Sequence, residues 1–355
     1  MNLSAVSRII IIKGKKLFIA LATIGTFFFL TEFIVRILAP QELISDLIAF
    51  DGDICHRLKR NANGVQMSRE YSVEIRTNAH GLRDRFYSYD KKENTFRILV
   101  LGDSHTFGWG VKQDNTFTKV LEQKLNSNVV ELTYEVINCG ILGYATGHLY
   151  LFFREEGFKF APELVVIAMD LPFSIATNKD FFSFENGQVF RNSRKCIFRS
   201  SRLVSKYIPF SSYLRGHSHL FRFAGVHLLS LYNKIKGDGE YFNNAVNPIA
   251  EHELANTKKI LGAFKRELAF SDIAIALVIL PEFSRSDRQI RRSFLDFLLK
   301  EEIPCLLLQG NFDAHANNAN LTFTNSHRFN ADGHRFIAAK IEGFLKKKEL
   351  LQKDF

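Results

Sequence analysis

The sequence predicts an α/β chain, a parallel five-stranded sheet with helices on both faces, behind an N-terminal transmembrane helix. Three observations carry this. Five short apolar runs lie at 97–101, 135–138, 164–169, 273–280 and 305–309, the pattern of strands buried on both faces. Amphipathic stretches stand between them, with Phe117, Val120, Leu121 and Leu125 on one face before the second run and Leu254, Leu261, Phe264 and Leu268 on one face before the fourth. Residues 17–38, LFIALATIGTFFFLTEFIVRIL, are apolar over a length that crosses a hydrocarbon core at ~1.5 Å per residue.

Taken in order, residues 1–40 read as a basic tail and an anchor. Arg8, Lys13, Lys15 and Lys16 precede the apolar run, so the tail stays cytoplasmic and the rest of the chain lies outside. Arg36-Ile-Leu-Ala-Pro-Gln follows, without a small-x-small cleavage site and with a Pro in the way, which favours an uncleaved anchor over a signal peptide. Glu32 and Arg36 stand four apart in the last turns, where they pair or snorkel. Residues 41–95 form a polar extracytoplasmic extension with one strand near 71–76, where Tyr71, Val73 and Ile75 alternate with polar residues. Residues 96–355 carry the alternating runs and end in a helix over 333–345.

The segment 171–249 is too long for a simple connection and reads as a lid or side insertion. It holds eleven Lys and Arg against four Asp and Glu, an excess of seven within a net charge of +10 for the whole chain. Such a segment suits an anionic membrane or glycan, or is an ordinary solvated face. No nucleic-acid motif accompanies it. Four widely spaced cysteines lack a CxxC pair, which argues against a zinc site. A Cys55–Cys196 disulfide is open to a chain outside the cytoplasm, and Cys305 reads as core. His217-x-His219 has no third ligand and reads as exposed histidines, and Asp313-x-His315 as a plain loop.

In an open parallel sheet, ligands bind beyond the carboxyl ends of the strands. After the first run comes Gly102-Asp103-Ser104-His105-Thr106-Phe107-Gly108-Trp109-Gly110. This presents a serine hydroxyl beside backbone N–H groups of a helix start. The same residues also suit a plain helix-entry turn capped by Asp or Ser. His105 is a candidate substrate contact.

The wider stretch resembles the bacterial SGNH/GDSL hydrolases that carry an N-terminal membrane helix. The resemblance runs through Asn78-x-x-Gly81-Leu82-Arg83, the Gly-Asp-Ser block, Asn138-Cys139-Gly140-x-x-Gly143-Tyr144, Glu155-Glu156-Gly157, Pro162-Glu163-Leu164-Val165-Val166 and Asn330-x-x-Gly333-His334. It includes the late placement of Glu32 and Arg36, covers about two-thirds of the chain, and is poor in the insertion. It implies a flavodoxin-like three-layer fold, with Ser104 as nucleophile toward an ester carbonyl. The backbone N–H groups of Ser104 and Gly140 would hold the oxyanion. A histidine before the last helix would serve as base. No metal or organic cofactor is implied.

Two blocks depart from the family's pattern. The third block's oxyanion-donating Asn falls on Pro172, with Ser174, Thr177 and Asn178 as nearby substitutes. In the fifth block, Asp-x-His-x-Asn-x-x-Gly-His, Ser326 takes the place of the Asp and Arg328 that of the His. His327 is one residue away and is the first candidate base, His334 within Asp332-x-His334 is the second, and the absence of a competent base is the third reading. The expected function is a serine esterase or O-acyltransferase acting on ester groups of cell-surface carbohydrate. The alternative is a catalytically degenerate relative that binds glycan or an envelope partner. A nucleotide-binding protein is disfavoured, because no Gly-rich phosphate loop follows the first strand. The partners expected are the membrane, through the N-terminal helix, and an acylated glycan or other ester substrate. Nucleic acid is not expected, and the oligomeric state is left open.

Overall fold

The computed structural model describes residues 3–39, 47–127, 131–185, 187–191, 213–214, 217–236, 251–281, 288–316, 321–324 and 328–351. A helix, α1 (Leu3–Leu38), opens the chain. Two antiparallel hairpins follow, β1 (Ile48–Asp51) with β2 (Cys55–Leu58) and β3 (Asn63–Met67) with β4 (Ser72–Arg76). Then come β5 (Thr95–Gly102), α2 (Ser104–Phe107), α3 (Phe117–Asn126), β6 (Thr133–Gly140), α4 (Thr146–Glu155) and β7 (Leu164–Met169). Next are α5 (Leu171–Phe181), the hairpin β8 (Phe182–Glu185) with β9 (Gln188–Arg191), and α6 (His219–Lys236). The chain closes with α7 (Glu251–Phe270), β10 (Ala274–Ile279), α8 (Arg288–Lys300), β11 (Cys305–Leu307), α9 (Gln309–Ala316) and α10 (Ala331–Lys347).

Five strands form one parallel sheet in the order β11-β10-β7-β5-β6. The five apolar runs are therefore the five strands, and each feeds one residue in two to either face. Leu99, Leu101, Ile137, Val165 and Ile167 pack into one apolar layer, while Ile98, Val100, Val136, Val166 and Ala168 pack into the other. The α3 helix lies on the second layer, with Leu121 and Leu125 buried, and α7 lies on the first, with Leu254, Leu261, Phe264 and Leu268 buried. From β5 the chain steps outward to β6 and then returns past β5 to β7. This reversal opens a crevice beyond the ends of β5 and β7, where such sheets hold their ligands.

Burial also explains two differences from the expectations. Residues 171–181 are the helix α5, whose Leu171, Ile175 and Phe181 are buried in the core, so the start of the supposed insertion belongs to the domain itself. Asp313 and His315 lie in the helix α9, where the Gln309 amide donates to Asp313 at 2.9 Å. Cys55 is disulfide-bonded, whereas Cys139 and Cys305 are free thiols. Cys196, the remaining cysteine, lies outside the described residues.

The stretch Lys13–Leu38 within α1 is long and apolar enough to cross a membrane, and none of it is buried against the rest of the chain. Among the described residues, polar ties join α1 to the hairpin β3–β4 and to the helix α6. Arg69, in the turn between β3 and β4, donates to the Leu38 carbonyl at 2.6 Å. Glu32 pairs with Arg36 at 3.4 Å as expected, and it also accepts from Ser218 Oγ and from the His219 and Leu220 N–H groups at 2.8–2.9 Å. The carboxylate thus caps the N-terminus of α6, satisfying donors that a helix start leaves unpaired. His219 is buried by this contact, contrary to the expectation of exposed histidines, while His217 is exposed and stacks on Tyr213.

Candidate active site

Ser104 is the first residue of α2, immediately past the end of β5. Asp103 is its N-cap and accepts from His105 N–H at 2.8 Å. That bond leaves the Ser104 N–H without an acceptor among the described residues. Burial pushes the Asp103 carboxyl up to about 6, against the pull of the His105 N–H and the Arg328 charge.

A helix of four residues cannot hold itself; it is clamped from both sides. The buried Arg83 guanidinium donates to Phe107 O at 2.9 Å, Gly108 O at 2.5 Å and Val111 O at 2.6 Å, and lies over the Phe107 ring at 4.9 Å. These bonds take up carbonyls at the C-terminal end of α2 and in the turn beyond it. Burial lowers the Arg83 pKa to about 9, so the group stays a cation at neutral pH. Asn78 in turn shapes the loop that carries Arg83, accepting from His80 and Leu82 N–H and donating to Arg85 O. The Asn78-x-x-Gly81-Leu82-Arg83 element is the brace of the serine turn.

Gly140 is the other side of the clamp. A Cβ there would collide with the Thr106–Phe107 backbone, so α2 can press against β6 only over a glycine. The Gly140 N–H is already donated to Asn138 Oδ1 at 2.9 Å. The expectation that Gly140 supplies an oxyanion donor therefore does not fit: its N–H is spent within the Asn138 turn. Gly143 offers what Gly140 lacks. It is exposed, takes φ 77°, and its N–H has no acceptor among the described residues. His56 from β2 is buried and contacts Leu142 O through Nε2 at 2.6 Å. Leu142 O and Gly143 N–H belong to one trans peptide and point opposite ways. Holding the carbonyl inward aims the Gly143 N–H outward.

The displaced third block is accounted for by packing. Asp170 caps α5 by accepting from Phe173 N–H at 3.0 Å, and Pro172 sits in the first turn, where a missing N–H costs nothing. Ser174 accepts from Thr146 N–H at 3.1 Å. Asn178, fully buried, accepts from Gly147 N–H at 3.0 Å and donates to Thr146 and, at 2.9 Å, to Thr257. Ser174 ties α5 to α4, and Asn178 ties it to α4 and α7 with both amide N–H groups spent, so Asn178 is not free to donate to a substrate.

Of the base candidates, His327 and Ser326 lie outside the described residues. His334 is excluded by its bonding: its Nδ1 accepts from Phe117 N–H at 3.1 Å, its ring stacks near Phe117, and burial pushes it down to about 3. The His105 ring packs on Phe329, and burial together with the Arg328 charge pushes it down to about 4.

Arg328 itself reaches the serine. Its Nη1 donates to Ser104 Oγ at 2.6 Å, and its guanidinium lies over the Trp109 ring at 4.4 Å. The hairpin β3–β4 walls this corner. Tyr71 OH accepts from Trp109 Nε1–H at 2.7 Å, Gln66 accepts from Gly110 N–H at 3.0 Å, and Glu70 accepts from Thr324 N–H at 2.6 Å. The sequence reading missed this wall, although the alternation around Tyr71 was its signal. Among the described residues no cluster of three or more His, Cys, Asp or Glu could hold a metal.

No protein-family model matches the sequence, and no protein of established function matches it in sequence. Solved structures do resemble the fold. A two-domain esterase active on acetylated mannans aligns at TM-score 0.43 and 12% identity over 74% of this chain, which spans about half, 52%, of that protein. A lipase/acylhydrolase from Enterococcus faecalis aligns at TM-score 0.42 and 13% identity, over 71% of this chain and 96% of that one. A psychrotrophic esterase from Pseudoalteromonas sp., inhibited by monoethylphosphonate, aligns at TM-score 0.41 and 15% identity, over 73% of this chain and 100% of that one.

Proposed function

We propose that the chain is a membrane-anchored serine esterase or O-acyltransferase of SGNH/GDSL type, acting on ester groups of cell-surface carbohydrate from outside the cytoplasm. The observation that carries this is the setting of Ser104, at the carboxyl end of a central strand and the first position of a helix, with no acceptor for its own N–H among the described residues; the outward N–H of Gly143 is proposed as the second donor. Ser104 Oγ attacks the ester carbonyl, and the carbonyl oxygen becomes an oxyanion held by those donors. The Ser104 proton passes to a base, for which His327, chain neighbour of the residue touching Oγ, is the candidate. The base returns it to the leaving alcohol, and water or an acceptor hydroxyl then takes the acyl group. The extracytoplasmic side is favoured by the basic flank of α1 and by the disulfide at Cys55, a bond that persists in oxidising compartments.

The contact of Arg328 with Ser104 favours one second reading. A guanidinium stays protonated and cannot serve as base, so a chain relying on position 328 would bind esters without cleaving them. The full chain in detergent micelles, treated with a fluorophosphonate and assayed on p-nitrophenyl acetate, decides between them. The esterase reading expects an adduct on Ser104 and hydrolysis that Ser104→Ala abolishes. Equal hydrolysis by that variant sinks it.

A further inference from the structure

We propose that Arg328 is a catalytic residue, the charged oxyanion donor that stands in for the third-block amide missing at Pro172; this rests on the esterase reading above. Three observations lead there. The guanidinium already donates to Ser104 Oγ at 2.6 Å. Among the described residues it has no carboxylate within ion-pair distance, so no direct salt bridge holds it away from the site. It is held in place by the Trp109 ring at 4.4 Å, whose N–H is fixed by Tyr71, and by a short antiparallel bridge between Thr322 and Phe329, with Phe323 N–H donating to Arg328 O at 2.8 Å. A planar fork with five donors, fixed by stacking, is suited to an oxygen anion.

The chemistry follows from shared bonding. When Oγ attacks, the new O–C bond forms and the carbonyl π pair moves onto oxygen. That oxyanion is bonded to the same carbon as Oγ, so when it forms on the guanidinium's side of Oγ the fork that donates to Oγ reaches it as well. Arg328 keeps its protons throughout and supplies charge-assisted hydrogen bonds, which are stronger than those of an amide. On collapse the pair re-forms the carbonyl, the alcohol leaves with the proton held by the base, and the guanidinium returns to Oγ. Pro172 has no side-chain donor and both Asn178 amide N–H groups are spent on Thr146 and Thr257, and the position left empty by the third block is thereby filled from the fifth.

The test uses the full chain in detergent micelles with p-nitrophenyl acetate and a fluorophosphonate. Arg328→Met is expected to lower kcat and the rate of Ser104 phosphonylation by ~10²–10³, with KM changed less than about twofold. Arg328→Lys, which keeps the charge and much of the packing, is expected to recover part of the loss. Added guanidinium ion is expected to restore part of the activity of Arg328→Ala, a response that a merely structural side chain would not give. Arg328→Met labelling at the wild-type rate overturns the inference while leaving the esterase standing. So does faster turnover in Arg328→His, which would show the guanidinium merely occupying the place of the base. Wild-type Ser104 that takes no phosphonate overturns the esterase reading itself, and this inference with it.

Discussion

Two arginines meet the four-residue turn at Ser104 and do opposite work. Arg83 is committed to the fold, with three carbonyls on its Nη1 and Nη2 groups and an aromatic ring beneath it, so its charge is consumed in structure. Replacing it by Met strands those carbonyls in the core and is expected to cost about 3 kcal/mol or more, read as a lowered unfolding midpoint. Arg328 donates through Nη1 to Ser104 Oγ, and on the proposal above its charge serves the reaction. In the mechanism proposed above, His56 acts one step back, through the Leu142–Gly143 peptide. His56→Ala frees the Leu142 carbonyl, so the Gly143 N–H loses its aim. The expected result is a kcat lowered ~10-fold at nearly unchanged KM, the mark of an interaction made in the transition state; an unchanged kcat would remove His56 from that task. At this scale the Gly102-Asp103-Ser104 motif was legible because it is local. The bond from Gly140 N–H to Asn138 Oδ1 was not, because it depends on a side chain whose rotamer no spacing rule contains.

At the level of elements, the five apolar runs were readable because strands buried on both faces have no polar side to blur the pattern. The start of the insertion was not readable. Helix α5 follows β7 directly through an Asp170 cap, and nothing in its composition separates it from the basic segment beyond. Its attachment is polar and specific. Asn178 satisfies Gly147, Thr146 and Thr257 at once, so Asn178→Ala is expected to destabilise by ~2 kcal/mol or more, beyond the loss of one ordinary hydrogen bond, because buried donors and acceptors on two other helices are orphaned together. A thermal melt checks this. The hairpin β3–β4 was legible as a strand but not as a wall of the site, since its pairing with Trp109 and Thr324 is long-range.

For the molecule as a whole, buried histidines set the response to acid. His334 is held down to about 3, and His56 and His105 to about 4, in each case chiefly by burial. A depressed histidine binds fewer protons folded than unfolded, so its contribution is intact above the unfolded value near 6.5 and is lost as pH falls below it. Asp103, raised to about 6, and the buried Asp84, also raised, work the other way, favouring the folded state as pH falls, against the three histidines above and the likewise depressed His148. The melting temperature is expected to drop between pH 7.5 and pH 4.5, and less steeply in His334→Gln; a flat profile would contradict the burial of these rings. Reduction of the disulfide at Cys55 is expected to lower stability by ~2–4 kcal/mol, seen as a lower melting temperature with dithiothreitol.

The turn between β3 and β4 has a geometric consequence for where the protein can work. Arg69 holds the last carbonyl of the lipid-crossing helix, Glu70 holds the loop of Thr324, and Tyr71 holds the indole beneath Arg328. Three successive residues thus run from the end of the apolar helix to the mouth over Ser104. A head joined to its anchor by backbone alone could swing on that joint; on the anchored esterase reading proposed above, the Arg69 tie restrains that swing. On that reading its reach is a shell of envelope near the membrane, and ester groups farther out must be carried to it.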